Sequence, residues 1–160
     1  MGRRKSKKNL GSIISAVAAL LGVTAVVMLF LPNVALKNGN TTFTGLQIVF
    51  GYSKTVPLLG DIQVLQFSFM NLLVYLLAIG GVVFALIGGN GKLFTLISVA
   101  AFVAAGVLFI ISPSFVLANK AAEQAGFKLS QGLKLAYGSI VGAVVTFLAG
   151  AAQGYKFLFK

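Results

Sequence analysis

The chain has 160 residues, of which 58% are hydrophobic and 9% charged, with a mean hydropathy of +0.99. A soluble globular domain carries about 25% charged residues, so the composition excludes that class and points to a single membrane domain over residues 1–160. The net charge is +11, and cysteine and histidine are both absent, which removes disulfides, thiolate and imidazole metal sites, haem, and the usual Ser-His and Cys-His catalysis.

Residues 1–10 form a basic head in which Arg3, Arg4, Lys5, Lys7 and Lys8 precede an apolar run. This is the pattern of a cytoplasmic flank attracted to anionic lipid headgroups. It does not read as a nucleic-acid surface, because no basic face alternates with aromatic residues on a folded element. Residues 11–31 supply 21 positions without a charge, enough at about 1.5 Å per residue to cross a hydrocarbon core of ~30 Å. Pro32 and Asn33 end this first span. The run exceeds the roughly 7–15 apolar residues of a secretory signal peptide, and Asn33-Val34-Ala35 is a poor cleavage site, so the span is expected to stay.

Residues 32–65 form a long first loop with its own pattern. Lys37-Asn38-Gly39-Asn40 is a tight-turn signal that folds a short strand at 34–37 back on residues 41–52. Along 41–53, Thr42, Thr44, Leu46, Ile48, Phe50 and Tyr52 alternate onto one strand face, which is mostly large and apolar. Leu46, Ile48, Phe50 and Tyr52 are therefore the candidate interaction face of this loop. A second turn at Leu58-Leu59-Gly60-Asp61 adds an edge strand at 62–64. A short helix competes with the strand, since Thr44 and Gln47 have capping-box spacing and Gly51 can close the helix. The β-branched and aromatic run Ile48-Val49-Phe50 favours the strand.

Residues 66–88 are the second span, and the glycine-rich turn at 89–92 makes the third span, residues 93–112, its antiparallel neighbour. Pro113 ends the third span. Residues 113–134 are a second loop with a short helix stopped by Gly126, residues 135–152 the fourth span, and residues 153–160 a tail alternating aromatic residues with Lys156 and Lys160. Eight Lys and Arg residues fall on the side of the N-terminus, inner turn and tail, against five spread over the two long loops. The positive-inside rule then puts both termini in the cytoplasm and both loops outside. Small size, a simple insertion pattern and the lack of cysteine point to a prokaryotic cell membrane.

With these boundaries no span holds Asp, Glu, Lys, Arg or His, which argues against proton-coupled transport. The only acids, Asp61 and Glu123, lie in different loops near Lys54 and Lys120 and read as solvated charges. No catalytic, cofactor-binding or metal-ligating residue is identified, and an enzyme is not expected. The spans instead carry small residues at helical spacing: Gly138, Gly142, Thr146 and Gly150 in the fourth, and Gly81 and Ala85 in the second. In lipid, close approach through such residues holds helices together, either within the bundle or against another subunit. Asn71 and Tyr75 share one helix face and are expected to bond a neighbouring helix.

The layout of cytoplasmic termini, a longer patterned first outer loop, a shorter second one and a tight inner turn resembles claudin-like tetraspan proteins. The Trp-rich first-loop motif and cysteine pair of that family have no counterpart here, and no site residue is carried over. The expected fold is an all-α integral membrane protein, a four-helix transmembrane bundle with a small antiparallel β-element in the first extracytoplasmic loop. The expected role is structural: binding to anionic headgroups inside, and to a membrane-protein partner or another copy outside, with no nucleic acid and no metal. The alternative is a channel or transporter accessory subunit in which Thr24, Asn71 and Thr146 face a water path.

Overall fold

The computed structural model describes residues 2–88, 91–124, 126 and 132–159, with side chains from residue 9 onward. In chain order, α1 (Gly2–Val27) leads through a 3-10 turn into β1 (Pro32–Leu36), followed by β2 (Thr42–Thr44), α2 (Gly45–Phe50), β3 (Tyr52–Val56) and β4 (Gly60–Leu65). Then come α3 (Phe69–Ile87), α4 (Lys92–Ile111), a 3-10 turn at Ser112–Phe115, α5 (Lys120–Gln124), β5 (Leu133–Leu135) and α6 (Tyr137–Leu158). Among the described residues, four helices are long and apolar enough to cross a membrane. They are α1, α3, α4 and α6, and they neighbour one another round a ring in the order α1, α3, α4, α6.

Each long helix buries one stripe at helical spacing and exposes apolar residues elsewhere. In α3 the stripe is Asn71, Val74, Tyr75, Ala78, Gly81 and Ala85, while Leu76, Ile79, Val83 and Leu86 are exposed. The bundle closes on Phe102 of α4, which is wholly buried. A Cβ added to Gly22 of α1 or to Gly81 of α3 would lie 2.7 Å from its ring, and one on Gly150 of α6 would lie 3.5 Å from its Cβ. One aromatic knob therefore enters a hole lined by a glycine from each of the other three helices. Two turns along α4, Phe109 fills the notch at Gly142, where a Cβ would be 2.8 Å away, and meets Tyr75 edge-on with ring centroids 5.4 Å apart.

A cap covers the end of the bundle where α1 and α4 finish. Its first sheet has the order β2-β1-β5, all antiparallel, with Val34 opposite Phe43 on one side and Leu135 on the other. The second is the β3–β4 hairpin. The α4–α6 connection joins both sheets. It supplies β5 to the first and runs beside β4 in the second, through the Leu65–Ala118 bridge and the bonds Gln66 N to Leu117 O (2.8 Å) and Asn119 N to Val64 O (3.1 Å).

Two expectations are corrected and two are extended. The continuous strand over 41–53 is instead β2, then the six-residue helix α2, then the start of β3. Gln47 N donates to Thr44 Oγ1 (3.4 Å), Thr44 N donates to Gln47 Oε1 (2.9 Å), and Gly51 ends the helix at φ +95°. The helix wins because it buries Gly45, Ile48 and Val49 on the bundle mouth, which overrides the β-propensity of the run. The second loop holds a strand, β5, in addition to a short helix; residues 125 and 127–131, part of the expected linker, lie outside the described residues. The first span, expected over 11–31, coincides closely with the apolar stretch Asn9–Phe30, and its helix begins earlier, at Gly2, so the basic head continues it. Finally, α6 runs to Leu158 instead of stopping at 152, and it carries Lys156 as a buried cation.

Candidate functional site

A layer of buried polar side chains joins the cap to the bundle. Asn33 Nδ2 donates to the carbonyls of Met28 (2.6 Å) and Leu31 (2.7 Å), and Asn33 Oδ1 accepts from Ser139 Oγ (3.1 Å), which lies 3.2 Å from Ser112 Oγ. Ser68 Oγ donates to Phe115 O (2.7 Å) and accepts from the backbone N–H (3.3 Å) and Nδ2 (3.2 Å) of Asn71. These bonds tie the end of α1 to α6 and the start of α3 to the turn after α4. Asn71 Oδ1 is buried with no partner among the described residues. Asn71 and Tyr75, which share one face as expected, are both buried and serve packing: the Tyr75 ring meets Phe109, and its hydroxyl lies over Gly45.

The exposed part of the cap is dominated by the tip of the β3–β4 hairpin. Pro57, Leu58 and Leu59 form the turn, held by Leu59 N donating to Val56 O (3.1 Å). Leu58 has φ +77° and is completely exposed, and Leu59 is 67% exposed. A side chain in the left-handed region costs about 1–2 kcal/mol, and here no burial offsets it. Two adjacent leucines thus stand in a strained turn where polar residues are the norm.

The expected interaction face is dispersed. Ile48 is buried under the cap, Leu46 and Tyr52 are half-buried, and Tyr52 meets Phe43 edge-on at 6.1 Å. Phe50 alone is exposed, 6.5 Å from Phe67 at the base of the hairpin. Sequence reading missed Leu58 and Leu59, although the signal was present: two leucines inside a Pro-to-Gly turn.

The small residues assigned to helix packing all face the interior. A Cβ on Gly138 would lie 2.5 Å from Pro32 O, and Gly142, Gly150 and Gly81 receive Phe109, Val103 and Phe102 respectively. Thr146 Oγ1 donates to the carbonyls of Gly142 (2.8 Å) and Ala143 (2.9 Å), and Ala85 is buried with Phe102. The groove along α6 is filled from within the chain at Gly138, Gly142 and Gly150, while a Cβ added to Gly154 would have no heavy atom within 4 Å. Thr24 likewise bonds its own helix, to Leu20 O at 3.0 Å.

The far end of the bundle holds a second polar group. Lys156 is 4% exposed, and its Nζ donates to Ser15 Oγ of α1. A Cβ added to Gly11 would make an ordinary contact with Lys156 Cε, at 3.8 Å, so the lysine stem lies along α1. One turn earlier, Gln153 is completely buried, and neither Nε2 nor Oε1 has a partner among the described residues. An unsatisfied buried polar group costs about 1–3 kcal/mol. The side chains of Arg3, Arg4, Lys5, Lys7 and Lys8 lie outside the described residues. Among the described residues no group of three or more His, Cys, Asp or Glu is placed to hold a metal ion. Asp61 accepts from Thr55 Oγ1 across the hairpin, and Glu123 is exposed on α5.

Comparison of the chain with protein-family models, with curated proteins and with solved structures returns no match.

Proposed function

We propose that this chain is a non-enzymatic, multi-pass cell-membrane protein with both termini in the cytoplasm, which binds another protein through the tip of its outer β3–β4 hairpin. The membrane reading is supported by long helices whose exposed faces are apolar: Leu20 is 68% exposed, Leu86 60% and Leu93 66%. In water such surfaces would associate, whereas in hydrocarbon they are solvated. The orientation is supported by the basic residues of α1, together with Lys92 and Lys156, at the end opposite the cap.

The observation that carries the binding role is the pair Leu58 and Leu59, exposed on a strained turn of a hairpin that the second loop braces along β4. Strain without burial is retained where a side chain must be presented. The partner that fits is an apolar pocket about two leucines wide, on a membrane or envelope protein or on a second copy. Replacing both leucines with aspartate should abolish co-purifying complexes in mild detergent while the monomer stays folded; complexes of unchanged size would contradict the role. The alternative in which Thr24, Asn71 and Thr146 face a water path inside the bundle is disfavoured, because Phe102 packs against a glycine of each of the other three helices and Thr24 and Thr146 bond their own helices.

A further inference from the structure

We propose that Asn38-Gly39, in the turn between β1 and β2, is a self-modification site at which the asparagine converts spontaneously to aspartate and isoaspartate, with water as the sole co-reactant.

Asparagine is a chemically labile residue, and its lability depends on the backbone nitrogen that follows it. Here the Gly39 nitrogen, its proton taken by hydroxide or a buffer base, attacks the side-chain carbonyl carbon of Asn38. The N–Cγ bond forms and the Cγ–Nδ2 bond breaks. The amide regains the proton and leaves as ammonia. Water then opens the five-membered succinimide, giving aspartate where the new N–Cγ bond breaks and isoaspartate where the original peptide bond breaks.

The turn meets the requirements of this step. Asn38 and Gly39 are both exposed, so water and base reach them. Gly39 has no Cβ to shield its nitrogen, and one built there would find nothing nearer than 3.9 Å, which leaves room for the ring. Its N–H donates to no acceptor among the described residues; the turn is closed further out, by Leu36 N donating to Thr41 O (3.0 Å). The attack is on carbon, so it does not need the Asn38 amide to be without partners. Other asparagines lack one feature or another. Asn40 is also exposed, but the β-branched Thr41 follows it. Asn33 is wholly buried, with Nδ2 and Oδ1 both bonded. In the second Asn-Gly pair, Asn90-Gly91, the Gly91 N–H is held by Gly88 O at 2.7 Å.

The product sets a carboxylate next to Lys37, whose stem lies over Gly132, on a corner of the cap that also carries Lys134 of β5. Isoaspartate in addition inserts a methylene into the main chain just before β2, an edge strand of its sheet. The conversion is thus a slow, one-way change of charge on the exposed cap, set by the age of the chain. It proceeds whichever side of a membrane the cap faces, so it stands or falls apart from the proposed function.

The test incubates the full chain in mild detergent, in mildly alkaline and mildly acidic buffer, beside a synthetic peptide of residues 34–44. At intervals the segment from Asn38 to Lys54 is released with trypsin and fragmented by mass spectrometry, and isoaspartate is counted by enzymatic methylation. The expected result is the amide-to-acid mass gain at position 38, accompanied by isoaspartate and faster in the alkaline buffer, with Asn40 unchanged over the same interval. Gly39→Ala is expected to slow the gain, Asn38→Gln to remove the isoaspartate, and Asn40→Gln to alter neither. Asn38 intact in the folded chain after the peptide has fully converted would overturn the proposal, as would equal conversion at Asn38 and Asn40.

Discussion

Phe102 illustrates how much of this molecule rests on single side chains. Its ring lies against Gly22 and Gly81 and its Cβ against Gly150, so removing the ring leaves a cavity that the helices around it would have to collapse to close. Phe102→Ala is expected to cost about 3–5 kcal/mol, measured by unfolding in a mixed-detergent titration. The complementary change, Gly81→Leu, places a side chain where even a Cβ is 2.7 Å from the ring, and is expected to cost at least about 1–3 kcal/mol by the same measurement. Glycine spacing along the sequence is visible without a structure, and it located Gly81 and Gly150 of this hole. The knob itself was not visible, because a phenylalanine within an apolar helix looks the same facing lipid or facing glycine. Lys156 and Gln153 were concealed for a related reason. Next to aromatic residues near a helix end, a lysine reads as an interfacial anchor, and only the packing of α6 on α1 shows that it turns inward.

At the scale of elements, the four long helices and the tight connection between α3 and α4 were legible, since a charge-free run of about 20 residues has little choice of structure in hydrocarbon. The cap was less so. The alternation in residues 41–53 is real, but burial of Ile48 and Val49 against the bundle selects a capped turn of helix. The capping pair Thr44 and Gln47 was the better local signal. Thr44→Val removes one half of that box and is expected to cost about 0.5–2 kcal/mol, seen as faster amide exchange over residues 45–50 with the long helices unaffected. The strand β5 was illegible, because three residues reading Leu133, Lys134 and Leu135 carry too little pattern, and its pairing to β1 spans about a hundred positions. In the hairpin, Leu58→Gly relieves a left-handed leucine but adds freedom to the unfolded chain. The two effects nearly cancel, leaving stability within about 1 kcal/mol of wild type. Partner binding should fall all the same, which separates presentation of the leucine from stability of the turn.

For the whole molecule, four long helices pack round Phe102, and a cap knitted from both connections covers one end of them. The buried bonds from Ser139 to Asn33 and from Ser68 to Phe115 O join the cap to the helices. Composition alone gave the class of protein, and charge asymmetry gave its expected orientation. The proposed binding surface depends on a turn conformation at Leu58 that no periodicity encodes. Because the chain has no cysteine, a single Cys introduced at position 59 or at position 40 is the only reactive thiol present. The decisive measurement attaches a membrane-impermeant, photoactivatable maleimide at each position in intact cells. The expected result is surface labelling at both positions and a discrete cross-linked species from position 59 only, at twice the monomer mass if the partner is a second copy. Failure to label position 59 from outside, or the same cross-linking pattern from both positions, would contradict a hairpin that faces outward and docks by its tip.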